Sequence, residues 1–176
     1  MEPLKLYERA TQWTAELVRG ATDQLDAPTP CEEWDVRTLI SHIIDTQNYF
    51  AASARGEDAS LPNPNPPDLV GADAAGAFDA TRAETLRAFR APADAEKAGM
   101  GMSIAFSDAL LHGWDLATAT GQDATMPDGL AEEAYEAIHG KFTDDQRKGI
   151  FKPEVAVGDD ATAQQWLLAY SGREPS

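Results

Sequence analysis

The chain of 176 residues carries 14 Lys and Arg against 30 Asp and Glu, a formal net charge of −16, and 43% of its residues are hydrophobic. This length suits one domain with a substantial core, and the negative charge repels phosphate backbones and anionic lipid surfaces. We therefore predict a single domain over residues 1–176 that binds neither nucleic acid nor membranes.

The N-terminal segment lacks the continuous apolar stretch of a signal peptide, and no apolar run approaches the roughly 20 residues needed to cross a bilayer. A cytoplasmic protein is expected. Cys31 is the sole cysteine, which excludes an intrachain disulfide and a multi-cysteine metal site. Because its neighbours Glu32, Glu33 and Asp35 disfavour a thiolate, we interpret Cys31 as a packing residue.

Helical periodicity dominates the chain, and strand patterns are scarce. The predicted helices cover, in chain order, residues 4–25, 36–55, 71–90, 103–119, 127–138 and 161–170. The second helix has Asp35 as a suitable N-cap, with Trp34 placed to pack on Leu39, and it ends before Gly56. His42 projects at the edge of its apolar face, where a side chain can reach a partly enclosed cleft.

Residues 60–68 contain four prolines in nine residues and predict an irregular connection over one end of a helical bundle. Three aromatic or imidazole side chains fit structural roles. Trp34 and Trp114 are interpreted as packing residues, and His139 as a solvent-exposed residue of an amphipathic helix.

The central helix, Ser103–Ala119, has no Lys, Arg or Glu, and its ionisable side chains are Asp108, His112 and Asp115. On a helical wheel these three fall within roughly 60°, while apolar residues surround the rest of the axis. A helix that is apolar all round is usually buried, so its charged stripe needs a partner that offsets desolvation. A divalent metal is the leading candidate, and a buried hydrogen-bonded Asp–His pair is the alternative.

Asp108 and His112 are four residues apart, which places their Cβ atoms about 6 Å apart on a helix, close enough to share one ion. His42 would supply a third ligand, and Asp115 would act outside the ligand shell, either by orienting His112 or by capping nearby backbone. Two imidazoles and one carboxylate leave coordination positions open for water or substrate. The ligand set suits zinc, nickel and iron alike; zinc is the expected ion, with nickel and iron as alternatives.

Three segments carry a family resemblance. Residues 29–42, TPCEEWDVRTLISH, resemble the opening signature of an actinobacterial family related to DinB-like proteins and to the N-terminal domain of mycothiol-dependent maleylpyruvate isomerases. Residues 111–117, LHGWDLA, are similar to its second signature, and residues 167–175, LLAYSGREP, to its C-terminal one. The three segments occur in the family order and span nearly the whole chain.

This resemblance implies an all-α fold, a DinB-like antiparallel four-helix bundle, here with additional short C-terminal helices. It also implies a divalent ion held by His42, Asp108 and His112. The family typically has Glu at the acidic position, so Asp108 is one methylene shorter. The resemblance does not imply isomerase activity itself.

The function expected from these observations is divalent-metal binding, with transferase or isomerase activity that depends on a small, mycothiol-type thiol and acts on an electrophilic substrate. A bound cation favours the nucleophilic thiolate. Metal-assisted hydrolysis is an alternative within enzymes. Among proteins that are not enzymes, the alternatives are a metal-binding or small-ligand-binding protein and a protein-interaction bundle. Exposed helix faces would also suit a homodimer.

Overall fold

The computed structural model describes residues 1–175, and their regular structure consists of α-helices. These are α1 (Pro3–Gly20), α2 (Val36–Ala54), α3 (Ala74–Arg90), α4 (Ala95–Thr120), α5 (Leu130–Ile138), α6 (Asp144–Ile150) and α7 (Ala163–Tyr170). The predicted all-α fold is therefore confirmed. None of these helices is long and apolar enough to cross a membrane.

Residues 1–125 form one compact unit, and a second begins at Met126; the single domain stays a prediction. In the first unit, α1 to α4 pack as a helical bundle. Thr14 Oγ1 donates to the carbonyl of Ala109, and Gln122 Nε2 donates to that of Leu17, so α1 and α4 point the same way. The rings of His42 and His112 are adjacent, with centroids 4.8 Å apart, and a Cβ at Gly101 would lie 3.5 Å from the ring of Phe50. Later residues of α2 therefore meet earlier residues of α4, so the two helices are antiparallel.

The core of this bundle is built from the apolar face of α2 and the faces of the helices around it. Burial of these side chains supplies the main free energy that holds the helices together. Its fully or almost fully buried members include Val18, Val36, Leu39, Ile40, Ile43, Phe78 and Leu116. Phe50, which the sequence pattern assigns to the same face, is only half-buried.

The proline-rich connection runs alongside α2 and does not lie over one end of the bundle. Its backbone is fixed there by hydrogen bonds from Asn63 N to Asp45 Oδ2 (2.8 Å) and from Leu69 N to Ser41 Oγ (3.1 Å). Thr85 Oγ1 donates to the carbonyl of Gln47 (3.3 Å), and Ala93 N, just after α3, donates to that of Ala54 at the end of α2 (2.8 Å), so α2 and α3 point the same way. The chain therefore has to return along α2 before α3 begins. The prediction of an end loop was wrong for this topological reason.

Helix α4 begins eight residues earlier than the predicted Ser103. Asp94 caps it by accepting hydrogen bonds from the backbone of Glu96 and Lys97 (3.0 Å each). Gly99 and Gly101, which resemble connection residues in the sequence, lie inside the helix. The N-cap and packing beside α2 outweigh the low helix propensity of two glycines. At its other end, α4 stops at Gly121 with φ of 69°, as predicted.

Other boundaries differ by a few residues, and one helix was not predicted. Helix α1 ends at Gly20 and not near residue 25, because the chain turns there. The unpredicted α6 has seven residues, none of them buried, so it shows no apolar periodicity. Its sequence signal is a capping box in which Thr143 and Gln146 exchange hydrogen bonds.

In the second unit, α5 packs on α7. Tyr170 on α7 is buried, and its hydroxyl donates to the carbonyl of Ile138 at the end of α5 (3.2 Å). The guanidinium of Arg147 lies 4.1 Å from the Tyr170 ring centroid, and Nη2 donates to the Tyr170 carbonyl (2.8 Å). Aromatic and cation–π contacts therefore hold these short helices together.

Two glycines of α4 provide a matched test of the packing between α1 and α4. A Cβ at Gly113 would lie 2.6 Å from Cζ3 of Trp13, whereas a Cβ at Gly99 would have no heavy atom within 4 Å. We expect Gly113→Ala to lower the free energy of unfolding by about 1–3 kcal/mol through overpacking. Gly99→Ala should raise it by about 0.5–1 kcal/mol because alanine is the better helix former. Urea unfolding measures both, and equal stability of the two variants would contradict this close helix contact.

Candidate metal centre

His42 on α2 meets Asp108 and His112 on α4. One ligand atom from each of the three side chains lies within 4.8 Å of the other two, and Asp108 Oδ1 is 3.4 Å from His112 Nε2. The Asp108 side chain is 26% exposed and that of His112 is 13% exposed. The structure thus brings the three residues predicted from the sequence together, in a place that solvent reaches.

Asp115 fixes the orientation of the His112 ring. Its Oδ2 lies 3.0 Å from His112 Nδ1, and its side chain is only 1% exposed. A carboxylate accepts hydrogen bonds, so this contact assigns the Nδ1 proton to His112 and leaves Nε2 directed at Asp108. An outer carboxylate in this position is typical of histidines that bind metals.

Electrostatics differ between the two histidines. Burial by itself lowers the pKa of His112, but attraction to Asp108 and hydrogen bonds to Asp108 and Asp115 together hold it well above its usual value. Burial, together with the smaller repulsion from the neighbouring His112, lowers the pKa of His42 to about 4. His42 is therefore neutral near pH 7, which is the state that a metal ligand requires.

His42 has an unsatisfied polar atom. Its Nδ1 is buried and has no hydrogen-bond partner among residues 1–175, while Nε2 is 3.5 Å from Thr46 Oγ1. An imidazolium at His112 would contact both Asp108 and Asp115 without any ion, as in a buried Asp–His pair, but its single positive charge balances only one of the two carboxylates. That arrangement leaves His42 unexplained, because a buried unpaired nitrogen costs about 1–3 kcal/mol.

Trp34 forms one wall of the site. Its ring lies 4.4 Å from the His42 ring with a 33° interplanar angle, and 6.1 Å from the His112 ring. Its Nε1 donates to the carbonyl of Pro64 in the proline-rich connection (3.1 Å). The sequence interpretation of Trp34 as a packing residue missed this role. Trp114, which was interpreted in the same way, is buried in the bundle.

Cys31 also reaches the site and was missed. It is half-buried, and its Sγ donates to Asp115 Oδ2 at 3.6 Å. Cys31, His112 and Asp115 form a second group whose ligand atoms lie within 4.8 Å of one another. The acidic neighbours Glu32 and Glu33, on which the sequence argument rested, are exposed to solvent.

The first group fits a metal better than the second. Donor atoms on one tetrahedral zinc lie about 3.3–3.5 Å apart, given bonds of about 2.0–2.2 Å, and Asp108 Oδ1 and His112 Nε2 are 3.4 Å apart. In the second group, Asp115 Oδ2 already accepts from both His112 and Cys31. Binding an ion there would break the hydrogen bond that orients His112.

Comparisons with known proteins agree with the family suggested by the motifs. Residues 7–117 match the family described as the mycothiol maleylpyruvate isomerase N-terminal domain. Uncharacterised proteins from two strains of Mycobacterium tuberculosis are each 32% identical over 183 residues, covering 98% of this chain and 98% of theirs. No solved structure matches the chain. The family match spans more than half of the chain, including His42, Asp108 and His112, and the protein therefore belongs to the mycothiol maleylpyruvate isomerase N-terminal domain family.

Proposed function

We propose that this protein binds one divalent metal ion through His42, Asp108 and His112, with zinc as the expected ion. The buried Nδ1 of His42, which has no partner among residues 1–175, is the observation that carries the proposal. The 3.4 Å separation of the donor atoms of Asp108 and His112 supports it. Three protein ligands leave room for an exogenous ligand, which is typical of catalytic sites and not of closed structural ones.

We further propose that the exogenous ligand is a small thiol of the mycothiol type, used in a transferase or isomerase reaction with an electrophile. The description of the family supports the choice of thiol. A bound divalent cation would favour the thiolate over the thiol. The chain itself contributes a neutral His42, a carboxylate at Asp108 and an aromatic wall at Trp34.

Metal analysis of purified variants tests the ligand set. Wild-type protein should bind one zinc per chain, whereas His42→Ala and His112→Ala should lose stoichiometric metal because each removes a ligand. Asp108→Glu should retain the ion, since it keeps a carboxylate. His139→Ala is the matched control, because this histidine is exposed at the C-terminal end of α5.

Thermal unfolding supplies a second readout for the same variants. Zinc at about 100 times its Kd should stabilise the wild type by about 2.7 kcal/mol, or roughly 5–10 °C in Tm for a chain of this size. His42→Ala should unfold at the same temperature with and without zinc. Substoichiometric metal in the wild type, or an unchanged zinc response in His42→Ala, would contradict the assigned site.

Asp115 should tune the affinity without binding the ion. Asp115→Asn is nearly isosteric but replaces the carboxylate by an amide, so His112 Nδ1 loses its charged acceptor and faces either a weaker amide oxygen or an NH2 donor. We expect metal affinity to fall about 10- to 100-fold, measured by competition with a coloured chelator. Asp58→Asn, at an exposed loop position, controls for the lost charge. An unchanged affinity in Asp115→Asn would show that this hydrogen bond has no influence on the ion.

A cobalt-substituted protein tests the thiol. Adding mycothiol should produce a sulfur-to-cobalt charge-transfer band and change the visible spectrum, and Asp108→Leu should abolish both. Cys31→Ser is the essential control, because Cys31 is the one thiol of the chain and its hydroxyl replacement can still donate to Asp115. If the protein binds cobalt but its spectrum does not change when mycothiol is added, the thiol proposal is contradicted and the metal-binding proposal stands.

A further inference from the structure

A groove between α5 and α7 lies within the unit that begins at Met126. It has a volume of about 360 Å³, which is within the range of small-ligand sites. Its walls are formed by two carboxylates, two aromatic rings and one small side chain: Glu132, Tyr135, Glu136, Ala163 and Trp166. The metal site uses none of these residues.

The local sequence explains how these side chains meet. Glu132, Tyr135 and Glu136 share one face of α5, because they are three and four residues apart. Ala163 and Trp166 are three residues apart on α7, and the small Ala163 leaves the groove open. The rings of Tyr135 and Trp166 lie 6.5 Å apart at 51°, so they form two inclined walls. His139 stacks on Tyr135 at 4.6 Å and holds that ring in place.

The two carboxylates of the groove are not neutralised by the protein. Glu132 and Glu136 are one helical turn apart, where like charges repel, and Glu136 lies in the last turn of α5, where the helix dipole disfavours negative charge. Neither side chain forms an ion pair or hydrogen bond with any residue in the range 1–175. A third carboxylate, that of Glu154, is close enough to act on Tyr135. Burial raises the pKa of the Tyr135 hydroxyl, and the negative charge of Glu154 raises it further.

We propose that this groove binds a small organic cation of the quaternary ammonium type. The faces of Tyr135 and Trp166 attract cations through their quadrupoles, and aromatic walls are the usual recognition element for quaternary ammonium groups. Glu132 and Glu136 supply the countercharge at the rim. This assignment is independent of the metal site and of the thiol.

Other ligand classes match the groove less well. An anion would be repelled by the two carboxylates, and a neutral apolar molecule would leave them unneutralised. A divalent metal needs several oxygen ligands in place of its water, but only two carboxylates line these mostly apolar walls. A guanidinium needs several hydrogen-bond acceptors in one plane. A methylated ammonium needs none, so its charge and its apolar surface are both complemented here.

The test uses the full chain and a pair of ligands that differ only in charge. Choline carries a trimethylammonium group, and 3,3-dimethylbutan-1-ol replaces its nitrogen by carbon. Titration calorimetry at constant ionic strength should show one saturable choline site per chain, with binding of the neutral alcohol at least about tenfold weaker. In NMR spectra choline should move the indole signal of Trp166 and not those of the other three tryptophans.

Variants separate this groove from the general negative field of the protein. Glu132→Gln/Glu136→Gln and Trp166→Leu should each weaken choline binding at least about tenfold. Glu16→Gln/Glu96→Gln removes the same charge from exposed positions elsewhere and should leave the affinity unchanged. Because both glutamates of the groove are exposed, the double variant should unfold at the wild-type urea concentration, which confirms that it is folded.

Four results would overturn the proposal. One is the absence of saturable choline binding, and another is equal binding of choline and the neutral alcohol. The third is tighter binding of methylguanidinium than of choline, which would point to an arginine side chain of a partner protein. Equal weakening in the Glu16→Gln/Glu96→Gln control would also overturn it, since the attraction would then come from overall charge.

Discussion

A carboxylate inside an apolar helix must accept hydrogen bonds, because a buried unpaired charge costs several kcal/mol. Asp115 meets this requirement on α4 by accepting from both His112 and Cys31. Through the first contact it sets the tautomer and direction of His112. Through the second it ties α4 to the segment that precedes α2. The need to stabilise this one buried carboxylate therefore fixes both His112, a candidate metal ligand, and the segment before α2.

Bundle topology determines which residues can share that site. Since α2 is antiparallel to α4, a residue in the first half of α2 lies beside the second half of α4, and His42 meets His112 for this reason. Since α2 and α3 point the same way, the connection has to run back along α2. Pro64 in that connection then accepts from Trp34, which stacks on His42. The long connection is therefore part of the wall of the site.

The two proposed sites would recognise cations by different physical interactions. In the bundle, imidazole and carboxylate donors converge within 4.8 Å and suit direct coordination of a small hard or borderline ion. In the groove between α5 and α7, aromatic faces and exposed carboxylates suit a large, weakly hydrated charge. A chain with a net charge of −16 attracts cations everywhere. Selectivity must then come from geometry, which differs between these two places.

The sequence by itself determined the features that depend on neighbours within a turn or two. The Asp35 cap, the stop at Gly121 and the polar stripe of Asp108, His112 and Asp115 follow from capping preferences and a period of 3.6 residues. The position of His42 at the edge of an apolar face came from the same periodicity. These local rules, with the family motifs, were sufficient to choose the three side chains that the structure brings together.

Only the tertiary structure decided the features that depend on distant parts of the chain. Cys31 and Trp34 reach the site because the segment before α2 packs beside α4, and no pattern of sequence neighbours encodes that contact. The early start of α4 follows from its N-cap together with packing of Gly101 against Phe50 of α2. The groove of the second unit likewise needs two short helices to meet. In each case the deciding free energy comes from contacts between distant parts of the chain, and the periodicity along one helix carries no information about them.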